Sequence, residues 1–202
     1  MANEEVSSTR RNLLIATGVV GAFGVAGASV PFISSFQPSA RAKTAGAPVD
    51  VDISKIDNEP GMRMIVQWRG QPVWIFKRDK AQLTALVQLD SRLVDPKSDN
   101  PDQTPAFAKN EARTIVGKEE IAVIVGICTH LGCSPSFVPE MLPQAFDSEW
   151  KGGFYCPCHQ SKFDLAGRVF QNVPAPSNLK IPPYHFIDDT HIVIGVPPEG
   201  AA

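Results

Sequence analysis

Apolar and polar positions follow three regimes along the chain. Leu13 to Ile33 is an apolar run of about 20 residues, long enough to cross a bilayer as a helix, and no charged residue stands between Asn12 and Ala40. Ser34 to Pro48 is small, polar and proline-bearing, a composition that cannot build a core and predicts a linker. From Val49 onward short apolar segments alternate with turn residues. Met62–Trp68 and Val73–Lys77 read as strands joined by Arg69-Gly70-Gln71-Pro72, and Asp79–Leu93 reads as a helix. A loop rich in Asp, Pro and Asn follows to Pro105, and Ile121–Val125 reads as a buried strand. Ser148 to Tyr155 leads into a cysteine-bearing loop with Gly152-Gly153 as its turn. Ile181–Phe186 and His191–Val196 read as a closing hairpin around Asp188-Asp189. The expected architecture is mainly β: one transmembrane helix, a linker, and an antiparallel β-sandwich or barrel-like head carrying one helix–loop insertion.

Charge refines the N-terminal reading. Arg10 and Arg11 stand directly before the apolar run, within Ser8-Thr9-Arg10-Arg11-Asn12-Leu13-Leu14, as in a twin-arginine export signal. The run exceeds the roughly 7–15 apolar residues of a cleaved signal, so an uncleaved signal anchor is expected. The cleaved alternative would use Ala40-Arg41-Ala42. The arginine pair favours a cytoplasmic N-terminus, although Arg41 and Lys43 weaken the positive-inside bias. Gly18, Gly21, Gly24 and Gly27 form a small-residue stripe about one helical turn apart, as in helices that pack closely on a partner; glycine enrichment of membrane spans accounts for it equally well. The expected divisions are 1–12 cytoplasmic, 13–33 membrane anchor, 34–48 hinge and 49–202 head. The whole chain carries a net charge of -2, without basic runs or aromatic–basic interleaving, so nothing points to nucleic acid.

All four cysteines and two of the four histidines fall in two short loops, Cys128-Thr129-His130-Leu131-Gly132-Cys133 and Cys156-Pro157-Cys158-His159-Gln160-Ser161. Thiolate and imidazole both ligate iron and zinc. A Cys₂His₂ zinc site leaves Cys133 and Cys158 unexplained, and C-x-H lies outside the usual finger spacings. A Cys₄ site is poorer, because one residue separates Cys156 from Cys158. A [2Fe–2S] centre with two cysteines on one iron and two histidines on the other accounts for the doubled C-x-H and C-x-x-H pattern. His185 and His191 lie in or beside the closing strands and read as structural or surface residues.

At CTHLGC and CPCH, followed by Ser161 and later Pro174-Ala175-Pro176, the chain resembles the Rieske iron–sulfur subunits of ubiquinol–cytochrome c reductase, the cytochrome bc complex. The resemblance extends to the N-terminal anchor. It implies one [2Fe–2S] cluster, with Cys128 and Cys156 on one iron and His130 and His159 on the other. It also implies a disulfide between Cys133 and Cys158, suited to an oxidising compartment, and a cluster-binding subdomain over about residues 126–178. Twin-arginine export carries folded, cofactor-loaded proteins, which fits a cluster assembled in the cytoplasm.

The same resemblance implies the surroundings and the task. Ser161 matches the serine whose hydroxyl bonds a bridging sulfide. Phe163 stands where many relatives carry Tyr, Val173 where many carry Gly, and Gln160 where Gly is common. The proline loop covers the cluster, and Ser34–Pro48 matches the hinge that lets the head move. The expected function is electron transfer from ubiquinol, at a site shared with cytochrome b, to a membrane-anchored c-type cytochrome within a dimeric complex. The head faces the periplasm, and His159 stands ahead of His130 as the quinol contact and proton acceptor. The alternatives are the small subunit of an arsenite-oxidase-type enzyme, which lacks so long an insertion, a soluble ferredoxin, which lacks the anchor and the second cysteine pair, and a zinc protein.

Overall fold

The computed structural model describes residues 8–39, 46–56 and 62–200. The chain divides into two compact units, Met1–Thr44 and Ala45–Ala202. The first is built on helix α1 (Ser8–Ser35), 28 residues long and none of them buried. An 18-residue stretch within it has a mean hydropathy of 2.0, so the helix is long and apolar enough to cross a membrane. Thr17 and Ser29 return their hydroxyls to the carbonyls of Leu13 and Val25, so these polar side chains are satisfied within the helix. The helix extends beyond the apolar run at both ends, which puts Arg10 and Arg11 inside it. Arg41, Lys43 and the Ala40-Arg41-Ala42 cleavage alternative, with most of the hinge's second half, lie outside the described residues.

Among its described residues the second unit holds three three-stranded antiparallel sheets. The first is ordered β1 (Val49–Asp52), β9 (His191–Ile194), β8 (Tyr184–Phe186); the second β2 (Arg63–Trp68), β3 (Gln71–Lys77), β4 (Ile121–Val125); the third β5 (Ser136–Val138), β6 (Gly153–Tyr155), β7 (Lys162–Asp164). Val73–Phe76 of β3 and Ala122–Val125 of β4 are buried without alternation, because both faces of their sheet are covered. That is why these strands read as continuous apolar runs. Trp74 of β3 stacks on Phe154 of β6 at 4.8 Å, and Phe76 and Phe137 complete the aromatic packing between the second and third sheets.

Several boundaries differ from those read in the sequence. Arg69 and Gly70 alone turn the β2–β3 hairpin, both with positive φ (51° and 73°), as a two-residue turn matching strand twist requires. Gln71 and Pro72 belong to β3; Pro72 pairs with Gln67 beyond the last β4 pairing at Val73. Helix α2 spans only Lys80–Gln88, opened by a capping box between Asp79 and Gln82. It gives way to a 3₁₀ turn at Asp90–Arg92 because Leu89 and Leu93 turn inward onto Trp150 and Phe170. Gly153 starts β6 rather than completing a turn: a Cβ there would lie 2.0 Å from the Phe163 carbonyl oxygen of β7. The closing hairpin starts at Tyr184 and ends at Ile194, and β1 was read as the start of the head but not as its partner.

The insertion between α2 and β4 has little regular structure, and buried arginines hold it. Arg78 donates to the carbonyls of Ala112 (2.8 Å), Glu119 (2.7 Å) and Leu165 (3.2 Å). Arg113 donates to those of Ala166 (2.8 Å) and Leu179 (2.7 Å) and to the Thr104 hydroxyl (2.8 Å). Burial lowers the pKa of both guanidiniums, to about 10 and about 9, which leaves them charged at neutral pH. Hydrogen bonds of this kind to a charged donor contribute about 1.5–3 kcal/mol each. They tie the insertion to the β7 corner beside the candidate site.

Candidate metal centre

Both cysteine–histidine loops leave strands of the core. β4 delivers the first through Gly126, where a Cβ would lie 2.0 Å from the Trp74 ring, so only glycine lets the chain pass. β6 delivers the second at Cys156, and β7 takes the chain away at Lys162. Two backbone bonds close each loop in the same way. Cys128 N–H donates to Cys133 O (2.8 Å) and Gly132 N–H to Cys128 O (3.0 Å); Cys156 N–H donates to Ser161 O (2.8 Å) and Gln160 N–H to Cys156 O (2.9 Å).

The paired loops hold all four cysteines together with His130 and His159. Cys133 and Cys158 form a disulfide across them, with Cα atoms 6.7 Å apart. Cys128 and Cys156 are free and buried, 2% and 1% exposed. The rings of His130 and His159 meet edge-on with centroids 4.7 Å apart; His130 is half-buried and His159 exposed. Three sulfurs, of Cys133, Cys156 and Cys158, lie within 4.8 Å of one another. Two of them are spent in the disulfide and are not thiolates, so the sulfurs free to ligate are those of Cys128 and Cys156. A Cys₄ site is thereby excluded.

The surroundings suit a ligand set of two thiolates and two imidazoles. Nδ1 of His130 is buried without a hydrogen-bond partner, a costly state unless that atom ligates. Burial pushes the Cys128 thiol above its ordinary value, opposed by the His130 backbone N–H and, more weakly, by the Ser161 hydroxyl at the same sulfur. Ser161 is fully buried, and its Oγ accepts from the Ala175 N–H at 3.0 Å. That acceptance leaves the hydroxyl proton free to be donated inward. Thr129 donates to the Ser177 carbonyl at 2.7 Å, so Pro174-Ala175-Pro176 is tied to both loops. Phe163 and Asp164 beneath the second loop are fully buried.

Around the centre, Leu131 is 71% exposed. His159 opens beside a cavity of about 310 Å³ shared with Tyr155, Lys162 and Asn172. A cavity of about 650 Å³ lies between α2 and the insertion, and none of the candidate ligands lines it. His185 and His191 bond within the β8–β9 region, to the Val196 carbonyl and to Asp188. Sequence reasoning missed Thr129 and Asn178, and the buried charges Arg78, Arg113, Asp164 and Arg168. Only Asp164 and Arg168 gave a signal, an opposite-charge pair four residues apart around a glycine turn.

A family model for the Rieske [2Fe-2S] domain matches residues 93–183, and one for the ubiquitinol-cytochrome C reductase Fe-S subunit TAT signal matches residues 1–39. The chain is 54% identical over 196 residues to the ubiquinol-cytochrome c reductase iron-sulfur subunit of Allochromatium vinosum, covering 96% of this chain and 92% of that one. To the subunit of the same name from Bradyrhizobium diazoefficiens it is 43% identical over 189 residues, covering 93% and 94%. Among solved structures it is similar to a chain of a hyperthermophilic respiratory Complex III, at 26% identity and a TM-score of 0.45, covering 88% of this chain and 97% of that chain.

Proposed function

Because this chain belongs to the family of ubiquinol–cytochrome c reductase iron–sulfur subunits and carries a Rieske [2Fe–2S] cluster, we propose that it relays single electrons from ubiquinol, at a site shared with cytochrome b, to a membrane-anchored c-type cytochrome in a dimeric cytochrome bc complex. In this reading Cys128 and Cys156 hold one iron, and His130 and His159 the other. The observation that carries it is the convergence of two free buried thiols and two imidazoles while the remaining cysteines are spent in a disulfide.

When bound, the cluster supplies one-electron redox chemistry, within a range of about −150 to +300 mV for histidine-ligated centres of this kind. The chain's own groups do the rest. Nδ1 of His130 faces the interior, which leaves Nε2 on the open side. The exposed edge of His159 is the group that hydrogen-bonds a quinol hydroxyl and takes its proton at the ring nitrogen not engaged with iron. Ser161 is placed to stabilise extra negative charge by donating its hydroxyl proton. Pro174-Ala175-Pro176 keeps water off without offering stray N–H donors. Residues 13–33 anchor the chain with its N-terminus in the cytoplasm, 34–48 let the head move, and the head, 49–202, works in the periplasm with its cluster subdomain over about 126–178.

The test is ligand replacement in the intact complex. Alanine at Cys128, His130, Cys156 or His159 abolishes the Rieske electron paramagnetic resonance signal. Alanine at Cys133 or Cys158 leaves an assembled but labile cluster, because the disulfide constrains the loops to the extent of about 3 kcal/mol for a closure of this size. A full signal in any of the first four variants overturns the assignment.

A further inference from the structure

Residues 174–178, which include the proline loop, make no backbone–backbone hydrogen bond among the described residues. Side chains hold this covering segment instead. Ser161 and Thr129, in the two centre loops, hold it at Ala175 and Ser177. The third pin is Asn178, which belongs to neither loop and is 1% exposed. Its Oδ1 accepts from the Val169 N–H at 2.9 Å, which ties the segment's last residue to the chain just before its start. Its Nδ2 donates to the Asp95 carbonyl at 3.0 Å and, at 3.4 Å, to Oγ of the buried Ser98.

We propose that Asn178 is a positioning residue for the metal centre, fixing from the insertion side where the covering segment lies over the cluster and, through Ala175, where the Ser161 hydroxyl points. This rests on the ligand assignment above. A carboxamide suits the place because it accepts at one atom and donates from the other without charge. Leaving either buried partner unmet costs about 1–3 kcal/mol. The entrance of the segment is docked on the insertion by backbone bonds, Val94 N–H to Val169 O (3.0 Å) and Gln171 N–H to Arg92 O (2.8 Å). Beyond its exit, Leu179 donates to Gly167 O at 2.7 Å and accepts from Arg113. Loss of the Asn178 side chain therefore releases the covering segment from the insertion, leaving Ser161 and Thr129 as its remaining side-chain pins, while the chain on both sides stays fixed.

The experiment compares Asn178→Leu, which has similar size and neither bond, with Asn178→Asp, which keeps the acceptor for Val169 and turns an oxygen towards the Asp95 carbonyl. Asn110→Leu is the control: Asn110 pins a loop of the same insertion, donating to Thr114 O at 2.6 Å, and does not touch the covering segment. The readouts in the full-length protein are the rate of cluster bleaching under a chelator, the redox midpoint, the resonance line shape and Tm. Both Asn178 variants bleach at least ~5-fold faster than the parent, the factor that corresponds to about 1 kcal/mol, with a displaced midpoint and altered line shape. Asn110→Leu loses Tm while keeping the parental bleaching rate and midpoint. Parental bleaching and midpoint in Asn178→Leu overturn the proposal, and so do equal changes in Asn110→Leu at equal loss of Tm. If Asn178→Leu does not accumulate, Asn178→Asp decides by the same criteria. A parent chain without an iron–sulfur signal refutes the ligand assignment instead, so the two failures are distinguishable.

Discussion

Gly132 and Gln160 occupy the same place in two loops of the same backbone. Each is the fifth residue of its loop, and each sends its N–H back to the carbonyl of the loop's first cysteine. Each also sits in the left-handed region, with φ of 82° and 63°. Gly132 adopts that conformation freely, whereas Gln160 is held there by closure of the turn at a cost of roughly 1–2 kcal/mol for a residue with a Cβ. Glycine would take the same conformation at this position without that strain. Gln160 gains a side chain that borders the cavity beside His159.

Gln160→Gly therefore stabilises the second loop. Relief of the left-handed strain exceeds the roughly 0.5–1 kcal/mol of added chain entropy that glycine brings, for a net gain of about 0.5 kcal/mol. Gly132→Ala, the reverse change in the first loop, costs about 1 kcal/mol. Thermal unfolding of the disulfide-intact protein measures both. A Tm that falls in Gln160→Gly removes the strain argument.

Ser161→Ala lowers the redox midpoint with the cluster retained. The buried hydroxyl receives the Ala175 N–H and keeps its own proton for the centre. A donor aimed at a centre that becomes more negative on reduction favours the reduced form. For a one-electron couple each 1 kcal/mol of that preference is about 43 mV. Redox titration followed by electron paramagnetic resonance measures the shift, and an unchanged midpoint with full cluster content counts against any role for this hydroxyl.

Asp164→Asn destabilises the head far more than a surface change. Asp164 is fully buried; Oδ1 accepts the N–H groups of Ala166 (2.9 Å) and Arg168 (2.8 Å), and Oδ2 accepts Nε of Arg168 (2.8 Å). Burial works against the Arg168 charge, but Asp164 and Asp90 outweigh it and hold that guanidinium above its ordinary pKa. Breaking a buried pair by removing one partner's charge costs about 3–5 kcal/mol, which corresponds to about 10 °C in Tm for a domain of this size. A loss below about 3 °C would show that Asp90 alone compensates Arg168.

The centre was legible because its chemistry is local: each loop carries its ligand types within six residues, and the anchor is a single composition run. The disulfide between Cys133 and Cys158 that the resemblance implied is present, and the rings of His130 and His159 meet. What holds the loops in place is not local. Asn178 meets Asp95 across 83 positions, and Arg78 meets Leu165 across 87. No periodicity encodes such pairs, and a buried arginine has the same letter as a solvated one. Element edges were lost to tertiary packing as well. Leu93 continues the helical pattern of α2, yet it bridges to Phe170. Pro72 signals a turn but lies in a strand, because the two-residue turn before it completes the reversal.

The tip of the β8–β9 hairpin is pH-sensitive at both ends of the mildly acidic range. The Asp188 carboxylate accepts from the Thr190 N–H (2.7 Å), the Thr190 hydroxyl (2.9 Å) and Nδ1 of His191 (3.1 Å). These bonds, the backbone N–H foremost, hold its pKa at about 2 against an ordinary 3.8. In return the Asp188 hydrogen bond raises His191 above its ordinary 6.5, slight burial opposes it, and Asp52 and Asp50 add their charge from β1. The carboxylate's contribution is present above pH 3.8 and is lost as pH falls through about 2. The imidazolium's contribution is present below pH 6.5 and is lost as pH rises through the raised value. Both hold together between pH 3.8 and 6.5, where protection of the tip amides relative to their intrinsic exchange rate is greatest. Both groups are solvent-exposed, so salt weakens the effect. Nuclear magnetic resonance titration of His191 gives a midpoint above 6.5 in the parent, lower in Asp188→Asn and lower in the parent at high salt. A His191 midpoint that does not move in Asp188→Asn would show that the pair does not form in solution.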